Sequence, residues 1–244
     1  MHPQPFSLSF SQSLSEKPFC EGQANAQAIS WITRWPDWPK RGLYLYGPPA
    51  CGKTHLASQW AKPSGALVLH GPEVHDAFLA SLSHRPDNAF VLEDVHQVPR
   101  DVDLLHLLNL WAEKKSFFLL TSRVPAHQLP FRLPDLTSRL RALTSVAMLD
   151  PDDDLLQKTL SAHFSARGLH VGPEVLAYLY PRMNRSFQAV CDVVDRLDQA
   201  SLSYQKEISI PFVRKILGYP LTGDAMGAGE GRGENDPLFH SANP

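Results

Sequence analysis

The stretch LYLYGPPACGKTHLA, residues 43–57, joins a short apolar run, a glycine-bounded turn and the beginning of an amphipathic segment. The turn fits the pattern G-x-x-x-x-G-K-[ST], which requires a strand before it and a helix after it. The matching residues are Gly47, Pro48, Pro49, Ala50, Cys51, Gly52, Lys53 and Thr54. In such a turn the backbone N–H groups bind phosphate oxygens at the positive end of the following helix. The stretch therefore predicts a phosphate-binding loop.

The side chains of this loop predict a bound nucleotide, together with Mg²⁺. Lys53 is placed to neutralise the β and γ phosphates, and the Thr54 hydroxyl is placed to reach the metal ion. His55 follows directly, and we count it with the residues that contact the nucleotide. Cys51 has no histidine partner nearby in the sequence, which favours a small filler over a nucleophile. A chance glycine-rich turn would not need a lysine next to a hydroxyl residue.

The region from Gly42 to about Met148 alternates apolar runs with amphipathic segments. The apolar runs cover residues 43–46, 66–70, 89–94, 116–122 and 145–149. This alternation is typical of a parallel sheet covered by helices, so the expected fold class is α/β. A stripe at helical spacing predicts one buried helix face, made of Leu104, Leu105, Leu107, Leu108 and Trp111.

The pattern becomes purely helical after Pro151, which predicts a second, small all-α domain. We therefore expect a nucleotide-binding domain at 19–150 and a helical domain at 151–219. Residues 1–18 are expected to form a flexible segment. Residues 220–244 are rich in glycine and polar residues, which predicts a disordered tail.

Composition narrows the function classes. The formal net charge of the 244 residues is −2, so the broad basic surface of a protein that binds DNA by itself is not expected. Cys20, Cys51 and Cys191 are far apart and lack C-x-x-C spacing, which argues against a disulfide framework or a zinc site. No apolar run reaches 18 residues and no signal-peptide pattern is visible, so a cytoplasmic protein is expected.

Acidic and polar residues follow two later strands. A nucleotide-binding phosphate loop needs an acidic residue at a neighbouring strand end to hold Mg²⁺, and AFVLED ends in Glu93 and Asp94. Glu93 is the expected metal-side residue and Asp94 the residue that polarises water. This reverses the usual order of aspartate and glutamate, which predicts slow or absent ATP hydrolysis; the alternative is a solvated acidic strand end. Thr121, with Ser122 beside it, ends the next strand, where a hydroxyl can sense the γ-phosphate.

Two pairs of arginines are further candidates for phosphate contact. LPDLTSRLRA, residues 133–142, contains Arg139 and Arg141, which are either surface residues or a group that reaches a phosphate. Arg182 and Arg185 are expected to begin a helix of the second domain. Because the helix dipole disfavours cations at that end, this pair indicates an anionic partner such as a nucleotide phosphate.

The order of these parts resembles that of AAA+ ATPases. The chain is most similar to the replication-initiator (DnaA) family and, within it, to the truncated homologue Hda, from about Leu43 to Leu217. GPPACGKTHLA, LTSRL and NRSF…LDQASL carry the resemblance. It implies an AAA+ P-loop NTPase that binds ADP or ATP, with a parallel sheet and an all-α lid domain. It also implies that Arg139 is an arginine finger and that Arg185 senses the chain's own nucleotide. The full-length initiators continue with a basic helix-turn-helix domain, where this sequence has its glycine-rich segment.

The segment QPFSLSF, residues 4–10, is a candidate binding peptide for a partner protein. Hda-type proteins carry there a short glutamine-led apolar peptide that docks on the replication sliding clamp, and the resemblance assigns this role to Gln4, Leu8 and Phe10. The spacing between the glutamine and the leucine is one residue longer than in the tightest form of the motif. The alternative is that Phe6, Leu8 and Phe10 pack on the ATPase domain.

The expected function is a nucleotide-dependent regulator of replication initiation. The resemblance implies that it binds the sliding clamp, stimulates ATP hydrolysis by DnaA through Arg139 in trans and contacts DNA only indirectly; it also allows homo-oligomers. A second interpretation is a DNA-associated AAA+ ATPase such as a helicase loader, which would need a nucleic-acid surface. A third is a small-molecule P-loop kinase, which the helical domain with its own arginines disfavours.

Overall fold

The computed structural model of the protein describes residues 19–83 and 87–218. Over these residues, five strands form one sheet in the order β2-β3-β4-β1-β5, and every neighbouring pair is parallel. The strands are β1 (Gly42–Tyr46), β2 (Leu67–His70), β3 (Ala89–Glu93), β4 (Phe117–Ser122) and β5 (Thr144–Ala147). The predicted parallel sheet is confirmed. The predictions at 1–18, including Gln4, Leu8 and Phe10, and at 220–244 lie outside the described residues.

Nine α-helices accompany the sheet over the described residues. Those of the sheet domain are α1 (Gln23–Thr33), α2 (Lys53–Ser64), α3 (Asp76–Ser83), α4 (Asp101–Glu113) and α5 (Pro134–Arg141). Those that follow are α6 (Asp153–Ala166), α7 (Pro173–Leu179), α8 (Phe187–Tyr204) and α9 (Ile210–Leu217). Helix α1 was not predicted from the sequence. No helix in the described part of the chain is both long and apolar enough to span a bilayer.

The sheet is covered on both faces because its strands alternate side chains between two cores. Tyr44 of β1 belongs to the core formed with α3, α4 and α5, whereas its neighbours Leu43 and Leu45 belong to the core formed with α1 and α2. In the first core the Trp111 ring stacks at 5.1 Å on Phe90. Burying each such side chain contributes about 1.5–3 kcal/mol. The predicted stripe on α4 is confirmed except at Leu105, which is only half-buried.

The helices α6 to α9 have a core of their own. Their buried residues include Leu160, Phe164 and Val194. Local signals fix where the two long helices begin: the Asp152 carboxylate accepts from Leu155 N–H at 2.8 Å, and the Ser186 hydroxyl likewise caps α8. Leu155 itself packs into the core beside α1 and α2, so the helical domain rests against the sheet domain.

The candidate nucleotide-binding residues lie at one of the two edges of the sheet. We call the edge where the strands end the carboxyl edge, and the edge where they begin the amino edge. The phosphate-loop sequence follows β1, Glu93 ends β3 and Ser122 ends β4, so all three meet at the carboxyl edge of adjacent strands. This is the edge where parallel α/β sheets bind ligands.

Candidate nucleotide site

The phosphate loop is held against the sheet by its two glycines. Gly47 N–H donates to the Ser122 carbonyl oxygen at 3.3 Å, and a Cβ atom on Gly47 would lie 2.5 Å from the Met148 carbonyl oxygen. Only glycine fits such an approach. Gly52 has a φ of +95°, a left-handed conformation that glycine adopts at little cost, and it immediately precedes α2. The loop therefore ends at a helix N-terminus, as its sequence pattern predicts.

Lys53 is buried within this loop. Its Nζ donates to the carbonyl oxygens of Gly47 at 2.8 Å and Pro48 at 2.7 Å. These two bonds compensate for burying an ammonium group that is only 9% exposed. Cys51 Sγ lies 3.6 Å from the same Nζ, but burial raises the pKa of the Cys51 thiol above its usual range. The thiol therefore stays protonated, which agrees with a filler rather than a nucleophile.

Thr54 and Glu93, the two residues assigned to Mg²⁺ from the sequence, lie side by side. The Thr54 hydroxyl donates to Glu93 Oε2 at 3.2 Å. Burial raises the pKa of Glu93, although His70, whose Nδ1 lies 3.9 Å from Glu93 Oε2, opposes this effect. Mg²⁺ is commonly held by one or two carboxylates together with substrate phosphates and waters. The hydroxyl and the carboxylate fit such a site.

Asp94, Thr121 and Ser122 form a second polar cluster at the same edge. Asp94 has left-handed backbone angles (φ 53°, ψ 51°), and its N–H donates to Thr121 Oγ1 at 3.2 Å. The Asp94 carboxylate lies 4.0 Å from His96 Nδ1, and Ser122 Oγ lies 3.5 Å from the same nitrogen. The Thr121 hydroxyl thus accepts a bond that fixes the acidic turn.

An aromatic contact that was not predicted from the sequence covers the beginning of α2. The Phe19 ring stacks on His55 with 4.9 Å between ring centroids, and a Cβ atom on Gly52 would lie 2.7 Å from Phe19 Cε2. Burial lowers the pKa of His55, whose Nε2 lies 3.1 Å from Gln59 Nε2. The His55 side chain is therefore engaged by protein neighbours, and its backbone remains the part that can contact a nucleotide.

Arg139 lies at the other edge of the sheet. The N–H groups of Arg132 and Leu133 donate to Asp101 Oδ2 at 2.6 and 3.0 Å, which fixes the start of α5 beside the start of α4. From there α5 runs back towards the beginning of β5, and Arg139 lines a groove together with Phe118 near the start of β4. Its Nε donates to Asp135 Oδ1 at 3.0 Å, and both side chains are exposed. Arg139 is thus kept away from the chain's own phosphate loop.

The two arginines before α8 have different surroundings. Arg182 is half-buried, donates to the Tyr178 carbonyl oxygen at 2.8 Å and lies 3.9 Å from the Tyr178 ring centroid. Arg185 is exposed and forms an ion pair of 3.1 Å with Asp153 at the start of α6. Arg182 therefore serves local packing, and Arg185 is the one of the two that a bound anion can recruit.

Comparisons with known proteins agree with this architecture. Residues 152–217 match the family described as "Hda, lid domain". An uncharacterized protein of Haemophilus influenzae is 26% identical over 186 residues, which cover 72% of this chain and 80% of that protein.

Two solved structures have the same fold. Domain III of the replication initiation protein DnaA from Thermotoga maritima is similar with a TM-score of 0.69 and 15% identity, over 82% of this chain and 93% of that one. AMPPCP-bound DnaA from Aquifex aeolicus gives a TM-score of 0.59 and 16% identity, over 77% and 67%. The sheet order, the helical domain and the family match lead to one conclusion: the chain has the AAA+ fold of DnaA domain III, and its residues 152–217 are similar to the Hda lid domain.

Proposed function

We propose that this chain is a nucleotide-dependent regulator of replication initiation that stimulates ATP hydrolysis by the initiator DnaA. The match of residues 152–217 to the Hda lid domain supports this function, as does the DnaA-like fold of the whole described chain. The net charge of −2 favours a protein partner over extended contact with DNA.

The chain's own site would bind ATP or ADP through the phosphate loop. The backbone of Gly47 to Thr54 and the Lys53 ammonium would bind the phosphates, and Arg185 would approach them from the helical domain. Thr54 and Glu93 would hold Mg²⁺, which supplies positive charge to the phosphate oxygens when bound. The support is the 3.2 Å hydrogen bond between these two residues and the N-terminus of α2 that follows the loop.

The observation that carries the proposal is the position of Arg139. The five residues of β1 separate the two edges of the sheet by roughly 13–17 Å, and α5 places Arg139 at the amino edge, with its guanidinium exposed. An arginine at this edge is suited to reach the nucleotide site of a second protein molecule. An arginine that stabilises charge on a γ-phosphate contributes about 10³–10⁵ in rate, or roughly 4–7 kcal/mol.

We further propose that the chain is tethered to the sliding clamp through Gln4, Leu8 and Phe10, which lie outside the described residues. The tether would raise the local concentration of the chain near DNA-loaded clamp, where the initiator is to be inactivated. DNA contact would then be indirect.

Single-turnover hydrolysis of ATP preloaded on DnaA, with DNA-loaded clamp present, tests the proposal. Arg139→Ala should lose most of the stimulation, yet bind its own nucleotide and the clamp as the wild type does. Arg139→Lys should recover little, because lysine keeps the charge but not the planar fork that bridges two oxygens. Arg141→Ala, at the end of the same helix, is the matched control. Undiminished stimulation by Arg139→Ala would remove the proposed mechanism.

A further inference from the structure

A groove of about 380 Å³ lies at the amino edge of the sheet, between α4, α5 and the starts of β1 and β4. Lys40, Arg41, Lys115 and Arg139 line it, and no carboxylate does so among the described residues. Between these cations the walls are apolar and include Ala112. The groove therefore combines an apolar interior with a cationic rim, and Arg139 is part of that rim.

The rim is fixed by the backbone. Lys40, Arg41 and Lys115 all have positive φ, between 53° and 56°, although none of them is glycine. Backbone strain of this kind clusters at ligand sites. Arg41 Nη1 donates to the Lys115 carbonyl oxygen at 2.9 Å, and its guanidinium lies 4.9 Å from the Phe117 ring centroid. The hydrogen bond thereby joins the Arg41 side of the rim to the Lys115 side.

The interior suits an apolar side chain better than a nucleic-acid base. The Trp111 ring is fully buried and stacked on Phe118, which is 7% exposed, so neither aromatic residue presents an open ring face to the groove. Base binding by single-strand binding proteins depends on such open faces. Ala112, in contrast, is exposed on the wall and leaves room for a larger side chain.

A buried hydroxyl beside the groove points to a peptide. Ser116 lines the groove and is 2% exposed, and its Oγ has no hydrogen-bond partner among the described residues. Buried hydroxyl groups nearly always have a partner. The amide groups of a peptide entering the groove would offer one after a small rotation of this side chain.

We propose that an acidic segment of the protein on which Arg139 acts, carrying one bulky apolar side chain, binds this groove. The apolar side chain would occupy the interior, and flanking carboxylates would meet Lys40 and Lys115. Docking of this segment would bring the partner's phosphate site to Arg139. The inference rests on the proposed function, since it takes the initiator as the partner.

Two variants of the full chain test this docking by association with purified DnaA in biolayer interferometry. Ala112→Trp fills the groove, and Lys115→Glu reverses a rim charge. Each should weaken association by about tenfold or more, because a few buried anchors dominate interfaces. Ala26→Trp on α1 and Lys62→Glu on α2, both at exposed positions, are matched controls that should bind normally. Wild-type association should weaken as salt rises, and that of Lys115→Glu should depend less on salt.

The outcomes separate this inference from the proposed function. If both Ala112→Trp and Lys115→Glu bind DnaA as tightly as the wild type does, the proposed docking in the groove is wrong, while the Arg139 mechanism can still hold. Loss of stimulation by Arg139→Ala, together with weakened association of Ala112→Trp and Lys115→Glu, supports both. If wild-type chain does not bind DnaA, the proposed function and this partner fall together. Binding of a fluorescent oligo-dT 20-mer that Ala112→Trp abolishes would overturn the peptide assignment in favour of nucleic acid.

A photo-crosslinker identifies the bound segment directly. Benzoylphenylalanine placed at position 112 of the full chain should crosslink to DnaA, and mass spectrometry should map the adduct. The expected peptide contains an aromatic or branched apolar residue within about two positions of a carboxylate. A crosslink to a basic or purely polar segment contradicts the proposal, as does a yield no higher than that of the same group placed at position 26.

Discussion

The Thr54 hydroxyl donates a hydrogen bond to Glu93 Oε2 across 39 residues of sequence, over 3.2 Å. The bond joins the helix that follows the phosphate loop to the end of β3. Glu93 is only 7% exposed, and its carboxylate therefore carries a desolvation cost that no cation beside it fully offsets.

Glu93→Gln should stabilise the nucleotide-free chain at neutral pH. Burial raises the pKa of Glu93, so the ionised carboxylate destabilises the fold above that pKa, and the penalty is lost as the pH falls through it. The gain in Tm should therefore shrink as the pH is lowered. For a chain of this length each kcal/mol shifts Tm by about 2–4 °C. Thermal unfolding between pH 4.5 and 8 measures it, and a gain that grows towards low pH would contradict the assignment.

Lys53→Ala should abolish nucleotide binding. Charge-assisted hydrogen bonds contribute about 1.5–3 kcal/mol each, so losing two to the phosphates should weaken binding at least about 100-fold. Lys62→Ala, at the exposed end of the same helix, is the control and should bind normally. Fluorescence titration with a labelled ATP analogue measures both. Normal affinity of Lys53→Ala would disprove the phosphate-loop assignment.

The isolated chain should hydrolyse ATP slowly or not at all, below about 1 s⁻¹. Glu93 and Asp94 stand in the reverse of the usual order, and the Asp94 carboxylate lies near His96. Steady-state phosphate release, with Lys53→Ala as the background control, measures the rate. Turnover in the ordinary enzyme range would show that Asp94 supports catalysis despite its shorter side chain.

Arg185→Ala should affect nucleotide affinity, whereas Arg182→Ala should affect stability. Arg185 forms an exposed ion pair with Asp153, so its loss should leave Tm nearly unchanged but weaken nucleotide affinity by about 10- to 100-fold. Arg182 packs on Tyr178, so its loss should lower stability by about 1 kcal/mol and leave affinity unchanged. Calorimetric titration and thermal unfolding of both variants decide the matter; the opposite pattern would exchange the two roles.

Leu8→Ala with Phe10→Ala should weaken clamp binding and leave thermal stability unchanged, because the segment is proposed to bind a partner. Gln4→Ala alone should have a similar but smaller effect, and the substitution Ser7→Ala is the control. Surface plasmon resonance on immobilised clamp measures affinity. A sharp fall in Tm, or unchanged clamp affinity, would favour packing of this segment on the ATPase domain.

The carboxyl edge was predictable because each of its residues follows an apolar strand. Thr54 and Glu93 could be paired from the sequence for this reason, and the structure brings them together. The Phe19 contact with His55 could not be predicted, since no local pattern links a residue ahead of α1 to one in α2. The ion pair of Arg139 with Asp135 follows helical spacing and was open to prediction. The amino-edge groove was not, because its walls come from four separate elements.

The length of α5 determines the position of the Arg139 guanidinium. The helix is anchored at one end by Asp101 and at the other by β5, and it holds eight residues between them. Inserting a single alanine between Thr137 and Ser138 would turn the guanidinium by about 100° and advance it by about 1.5 Å. The number of residues in this one short helix therefore sets how far, and in which direction, the arginine extends towards a second molecule.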